Sequence, residues 1–443
     1  MTELSAGDAL RRWLRPHLQF ASRVSKEGVP HSLFASTIEI LASAASGLLV
    51  VRILNPASLA DLRVAQAYIG WVGVVAGMGM ATPILRYCAG RIGEAGPESH
   101  GIEPNPVLLS AIRAGVVASV FVAVAAACLA RTGLLMRGGH SAGLFLLLLL
   151  SIPFTVVSGY CVTYLQAVRE LKRLAGWRIV LRVSSVIVTL GAAAFAGVGG
   201  YTASLIGVSV VWAFIMRSLV GRTGTRGRRA GFPAGFLSMA MLSMLANLVG
   251  TVRSTADLAL LDRMCPDRSG IAAYSVAQSL VAMASSVLVG LQVVSVPFFA
   301  EIKPGTGQLR ARLLRNQKRL FALALMGAVG AWLLGTAFGA LFLGPAYRQL
   351  PLLAVPLLLA FVCQSTFSLV SAALIGIGRV DVNLKVAVVA MGAGIALCWI
   401  GIRLWGLPGA AIGQAAGVAL YAVLQWAVGW PVLARSDGGH GVA

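Results

Sequence analysis

The chain has 443 residues, of which 58% are hydrophobic and only 12% charged, with a mean hydropathy of +0.84. Soluble proteins carry about 25% charged residues, so this composition excludes a water-soluble globular domain and points to lipid as the solvent. The 36 Lys and Arg against 15 Asp and Glu give a net charge of +21, but the excess lies in short loops and not in a basic patch interleaved with aromatics, which argues against a nucleic-acid partner.

Residues 1–31 carry Leu10, Trp13, Leu14 and Phe20 among Arg11, Arg12, Arg15, Arg23 and Lys26. They lack the apolar core of a cleaved signal peptide and read either as a basic amphipathic segment on an anionic leaflet or as a disordered basic tail. Apolar stretches long enough to span a bilayer, which takes about 20 residues, follow at 32–52, 62–87, 106–130, 142–167, 174–197, 199–220, 232–261, 270–300, 319–343, 349–376, 383–404 and 408–433. The expectation is an all-α membrane protein of about twelve transmembrane helices.

The dense basic loops are Arg169, Lys172 and Arg173, then Arg222, Arg226, Arg228 and Arg229, then Lys303 to Arg319. All fall on one side of the alternating map, the side of both chain ends, so a bacterial inner-membrane protein would have both termini cytoplasmic. The glycine-rich basic stretch 221–231 is expected to link a first lobe at 32–220 to a second at 232–433, with a short tail at 434–443.

An internal repeat supports this division. Pro56 with Val64-Ala65-Gln66 recurs as Pro266 with Val276-Ala277-Gln278, Pro83 as Pro297, and Gly197 and Gly200 as Gly406 and Gly409. The matches share an offset of roughly 210 residues, the mark of a duplication whose six-helix halves enter the membrane from the same side. Pro83 and Pro297 are expected near the ends of their helices. Pro153, Pro351 and Pro356 lie within spans, as hinges or as ordinary bends.

Charged groups away from helix ends cost about 2.5–3.5 kcal/mol in a bilayer and usually face a cavity or one another. Here they are Glu39, Arg113, Arg178, Arg182, Arg217, Arg253 and Asp257. Arg178 and Arg217 lie close enough to helix ends to snorkel, whereas Arg113 and Arg182 lie deeper and either snorkel or face a cavity. Arg253 and Asp257, four apart on one helical face, either neutralise each other or meet substrate or ion. Glu39 is too short to snorkel, so it either pairs with an arginine of another helix or is protonated during part of a cycle. Arginine predominates, which suits a phosphate or diphosphate, bound bidentately, better than a cationic drug.

The six cysteines are scattered and the five histidines have no carboxylate or cysteine at ligand spacing. Neither a disulfide framework, a metal site nor a cofactor is expected, and no nucleophile elbow, Walker loop, HExxH motif or paired catalytic carboxylates can be found.

The run Val51-Arg52-Ile53-Leu54-Asn55-Pro56, then Ala65-Gln66-Ala67-Tyr68, then Gly77 to Tyr87 resembles the first two helices of the Wzx-type oligosaccharide flippases, polysaccharide transporters of the MOP superfamily. Asp257 followed by Ile271 to Gln278, Leu343-Gly344-Pro345-Ala346-Tyr347, and Gly406-Leu407-Pro408-Gly409 are similar to family turns in the second half. Asn55 stands where the family usually has glycine, and Ala60-Asp61-Leu62 where a Tyr-Gly pair is common.

The resemblance implies two pseudo-symmetric six-helix bundles around a central cavity that opens alternately to each side, carrying a polyprenyl-diphosphate-linked glycan outward. On this reading Arg113, Arg182, Arg253 and Arg52 bind the substrate, and Glu39 and Asp257 pair with them or carry coupling protons. The expected partners are membrane lipids, an anionic lipid-linked glycan and other polysaccharide-assembly proteins, with the chain a monomer. Two alternatives remain: a MATE-like multidrug or small-metabolite antiporter, which needs acidic cavity walls, and a glycan polymerase or ligase, which needs a large external loop absent here.

Overall fold

The computed structural model describes residues 29–95, 106–136, 139–168, 170–221, 232–300, 308–376 and 379–437. The expected N-terminal segment and the linker fall almost wholly outside them. Among the described residues there is no strand. The helices are α1 (Val29–Ile53), α2 (Pro56–Ala76), α3 (Ala81–Ala95), α4 (Pro106–Arg131), α5 (His140–Leu149), α6 (Ile152–Ala167), α7 (Leu171–Gly221), α8 (Phe236–Met264), α9 (Arg268–Ala300), α10 (Gln308–Phe338), α11 (Leu350–Gly376), α12 (Val380–Leu424) and α13 (Trp430–Asp437).

Two of these are hairpins. A straight helix of 51 residues would be about 75 Å long, far more than a bilayer; α7 instead folds back at Gly197 (φ 61°) and α12 at Gly406 (φ 63°). Positive φ is open to glycine at little cost. The repeat is visible here in three dimensions: Gly200 lies against the carbonyl of Ala192, and its match Gly409 lies against that of Gly401, leaving no room for a Cβ at either site.

Two expected spans are broken helices. The second is interrupted by a turn at Gly77–Met80, with Met78 and Gly79 at positive φ, then resumes as α3. Pro83 therefore sits in the first turn of α3, where its missing N–H costs nothing, and the helix runs on to Ala95. Tyr160 donates a hydrogen bond of 2.7 Å to the Gly77 carbonyl exposed by the break. The fourth span bends by 47° between α5 and α6, and Pro153 opens the second piece in the same manner.

Counting each hairpin as two segments, each broken pair as one, and α13 as the continuation of α12 gives twelve segments among the described residues; seven of the helices, and the bent α5–α6 pair, are each long and apolar enough to cross a membrane. Asn55 accounts for its departure from glycine: its side chain caps α2, accepting from the Ser58 amide at 2.7 Å, directly ahead of Pro56.

The chain before the linker meets the chain after it chiefly along α2 and α3 against α8 and α9. Trp71 Nε1 donates to Thr255 Oγ1 at 2.7 Å, Thr82 and Ser243 share a 2.6 Å bond, and the Tyr87 hydroxyl donates to the Ala234 carbonyl at 2.7 Å. Gly79 makes the tightest approach, its backbone against Ala240 and Met244.

Candidate functional site

A cavity of about 610 Å³ lies between the halves. α2 contributes Arg63 and Gln66, α8 contributes Arg253 and Thr255, α9 adds Ser275 and Gln278, and α11 and α12 add Gln364 and Gln414. No acidic residue lines it.

Arg253 lies 11 residues from the end of α8, about 16 Å along the helix at 1.5 Å per residue. Its guanidinium stacks over the Tyr421 ring at 5.0 Å, a cation–π contact that holds the charge without neutralising it. Tyr421 is itself fixed by Phe367, ring to ring at 4.5 Å, and by the Gln425 side chain, which donates to its hydroxyl at 3.1 Å. Arg63 donates to Gln66 Oε1 at 3.3 Å, and its Nε is buried without a partner. Neither arginine has an ion pair among the described residues.

Asp257 does not pair with Arg253, one of the two arrangements their spacing allowed. Fully buried, it accepts hydrogen bonds from the Tyr274 hydroxyl and Gln278 Nε2, each at 2.5 Å, and from the Leu258 amide at 2.9 Å. Three neutral donors thus satisfy the carboxylate. Gln278 joins this cage to the cavity wall.

Glu39 takes the other course. Arg178 donates to both its oxygens, at 2.8 and 2.5 Å, in a bidentate fork between α1 and α7. Arg178 is therefore a partner of Glu39 and does more than snorkel. One turn on, Arg182 donates to Ser43. Glu39, Ser43 and Arg182 line a second cavity of about 440 Å³ within the first half, with Ser158, Ser185 and Trp212.

Two expected substrate residues are not at either cavity. Arg113 is exposed on α4; depth in a helix does not fix which face a residue occupies. Arg52 is exposed at the end of α1 and stacks over Phe342 at 5.9 Å. Arg217 is also exposed.

Sequence reasoning passed over Arg63, the second residue of its expected span. The signal that could have found it is the duplicated Val-Ala-Gln tripeptide: its two glutamines, Gln66 and Gln278, both line the central cavity.

The family model described as "Polysaccharide biosynthesis protein" matches residues 33–303. No curated protein matches the chain. Among solved structures, an inward-facing multidrug resistance MATE family transporter of the MOP superfamily matches with a TM-score of 0.68 and 15% identity over 93% of this chain and 99% of its own. The lipid II flippase MurJ in an inward closed conformation matches with TM-score 0.68 and 15% identity over 91% and 87%. An outward-facing MATE family transporter gives 0.67 and 17% over 94% and 96%. At such identities these likenesses concern the fold, a multi-pass helical transporter architecture built around a central cavity. With the family model covering more than half of its residues, the chain belongs to the polysaccharide biosynthesis protein family and has the fold of the MOP-superfamily transporters.

Proposed function

We propose that the chain is an alternating-access flippase that moves a polyprenyl-diphosphate-linked oligosaccharide from the cytoplasmic to the outer leaflet of a bacterial inner membrane. Both termini would be cytoplasmic, with 32–220 and 232–433 acting as lobes joined by 221–231. The observation that carries this reading is the pair Arg63 and Arg253, one from each half, on a shared cavity with no carboxylate to neutralise them. Two arginine forks suit a diphosphate, while the glutamine and serine lining offers donors and acceptors to sugar hydroxyls. The polyprenyl tail would remain in lipid. The drug-antiporter reading needs acidic walls, and the central cavity has none.

The test is a deletion strain complemented with wild type, Arg63→Ala or Arg253→Ala, scored for surface glycan and for lipid-linked repeat units held on the cytoplasmic side. Both variants should lose at least tenfold in export while expressing normally. Wild-type export by both, or resistance to cationic dyes on overexpression, would overturn the assignment.

A further inference from the structure

At the face of the protein opposite the chain ends, three arginines each reach across from one half to the other. Arg268, the first residue of α9, lies 3.7 Å from Asp61 on α2 and 2.7 Å from Asp262 at the end of α8. Arg263 donates to the carbonyls of Leu134 and of Leu135, the latter at 3.2 Å, in the turn between α4 and α5. Arg52 at the end of α1 stacks on Phe342 beyond α10.

The Arg268 and Arg263 contacts lie beyond the central cavity on the same side. The cavity lining begins at Arg63 on α2 and at Ser275 on α9 and stops at Leu258 on α8, whereas the contacts involve Asp61, Arg268 and the Asp262–Arg263 pair. From Arg268 to Ser275 is about 10 Å along α9. At the other end of the seam, the described cross-half bonds are uncharged: Thr82 with Ser243, and Tyr87 with the Ala234 carbonyl.

The chemistry of Arg268 singles it out within this set. A cation at a helix N-terminus opposes the helix dipole, so Arg268 is badly placed for α9 itself. Asp262 is fully buried with one oxygen unpartnered, and Arg268 is its ion partner. Asp61 then draws the same guanidinium toward the other half.

We infer that Asp61, Arg268 and Asp262, flanked by the Arg263 and Arg52 contacts, form an ionic clasp that shuts the outer end of the central cavity and must release for the cavity to open outward. The 3.7 Å bond to Asp61 is the one that parts. The shorter bond to Asp262 stays, because the short α8–α9 connection carries both residues together.

The test reads accessibility and not transport, so its failure is distinct from failure of the flippase assignment. Ser279→Cys is placed on the cavity wall of the full chain in right-side-out vesicles, and its labelling by a membrane-impermeant maleimide is measured against the chain without it. Asp61→Asn should raise the labelling rate about threefold to tenfold, and Asp61→Glu should keep it near that of Ser279→Cys alone. In the Ser279→Cys chain that also carries Asp61→Cys and Arg268→Cys, joined by a short reducible thiol cross-linker, labelling at position 279, read by peptide mapping, should fall to background and return once the link is reduced and the reductant removed. Unchanged labelling in Asp61→Asn at an unchanged melting temperature, or labelling that persists in the cross-linked chain, would overturn the clasp.

Discussion

In the first half Glu39 accepts two hydrogen bonds from Arg178, and the two charges cancel. In the second half Asp257 accepts from Tyr274, Gln278 and the Leu258 amide, and Arg253, one turn away on the same helix, lies on the face of Tyr421. Both halves hold a carboxylate within a helix near an arginine, Asp257 buried and Glu39 partly so, yet only one uses the arginine to satisfy the acid. Neutral donors around Asp257 leave the charge of Arg253 available to the cavity. An intramembrane arginine is thus functional or structural according to what else the nearest carboxylate can bind.

The contrast can be broken most forcefully at Glu39. Glu39→Gln leaves Arg178 without its counter-ion, and removing one partner of a buried pair costs roughly 3–5 kcal/mol; the pair is about one-fifth exposed, so the lower end is expected. A large fall in melting temperature in detergent should result, and Glu39→Gln with Arg178→Met should recover much of it. Next comes Arg253→Ala, which removes a charge-assisted contact of about 1.5–3 kcal/mol. Pyrophosphate binding to the purified chain should weaken roughly tenfold to a hundredfold.

Tyr274→Phe sharpens the comparison. It removes one donor from Asp257 at a cost of about 1–3 kcal/mol, and the carboxylate then competes for Arg253. A few-fold loss of pyrophosphate affinity without any change in the cavity wall is the expected result, measured by titration. Smallest of all, Arg113→Ala should shift stability by no more than about 0.5 kcal/mol and leave glycan export unaltered, because the side chain is exposed and lines neither cavity.

The twelve segments were legible because hydropathy and loop charge vary on the scale of a whole span. The hairpin glycines were legible as a repeat, Gly197 and Gly200 recurring as Gly406 and Gly409. What escaped was decided by neighbours distant in sequence. The break at Met78 and Gly79 has no proline of its own; it exists because the backbone there packs on Ala240 and Met244. The partners of Asp257 come from α9, 17 and 21 residues away, so the i to i+4 spacing with Arg253 gave no guide to them. Hydropathy reports depth and says nothing of azimuth, so it could not tell that Arg113 lines neither cavity while Arg63, at the start of its span, lines the central one.

The two arms of α12 touch through glycine at three levels, Gly401 with Gly409, Cys398 with Gly413, and Gly394 with Gly417. Small residues let the two backbones pack this closely, and close packing couples the arms. The hairpin is then suited to act as a lever, one arm of which carries Gln414 and Tyr421. Through Tyr421, a push on the far arm of the lever would be delivered to the guanidinium of Arg253.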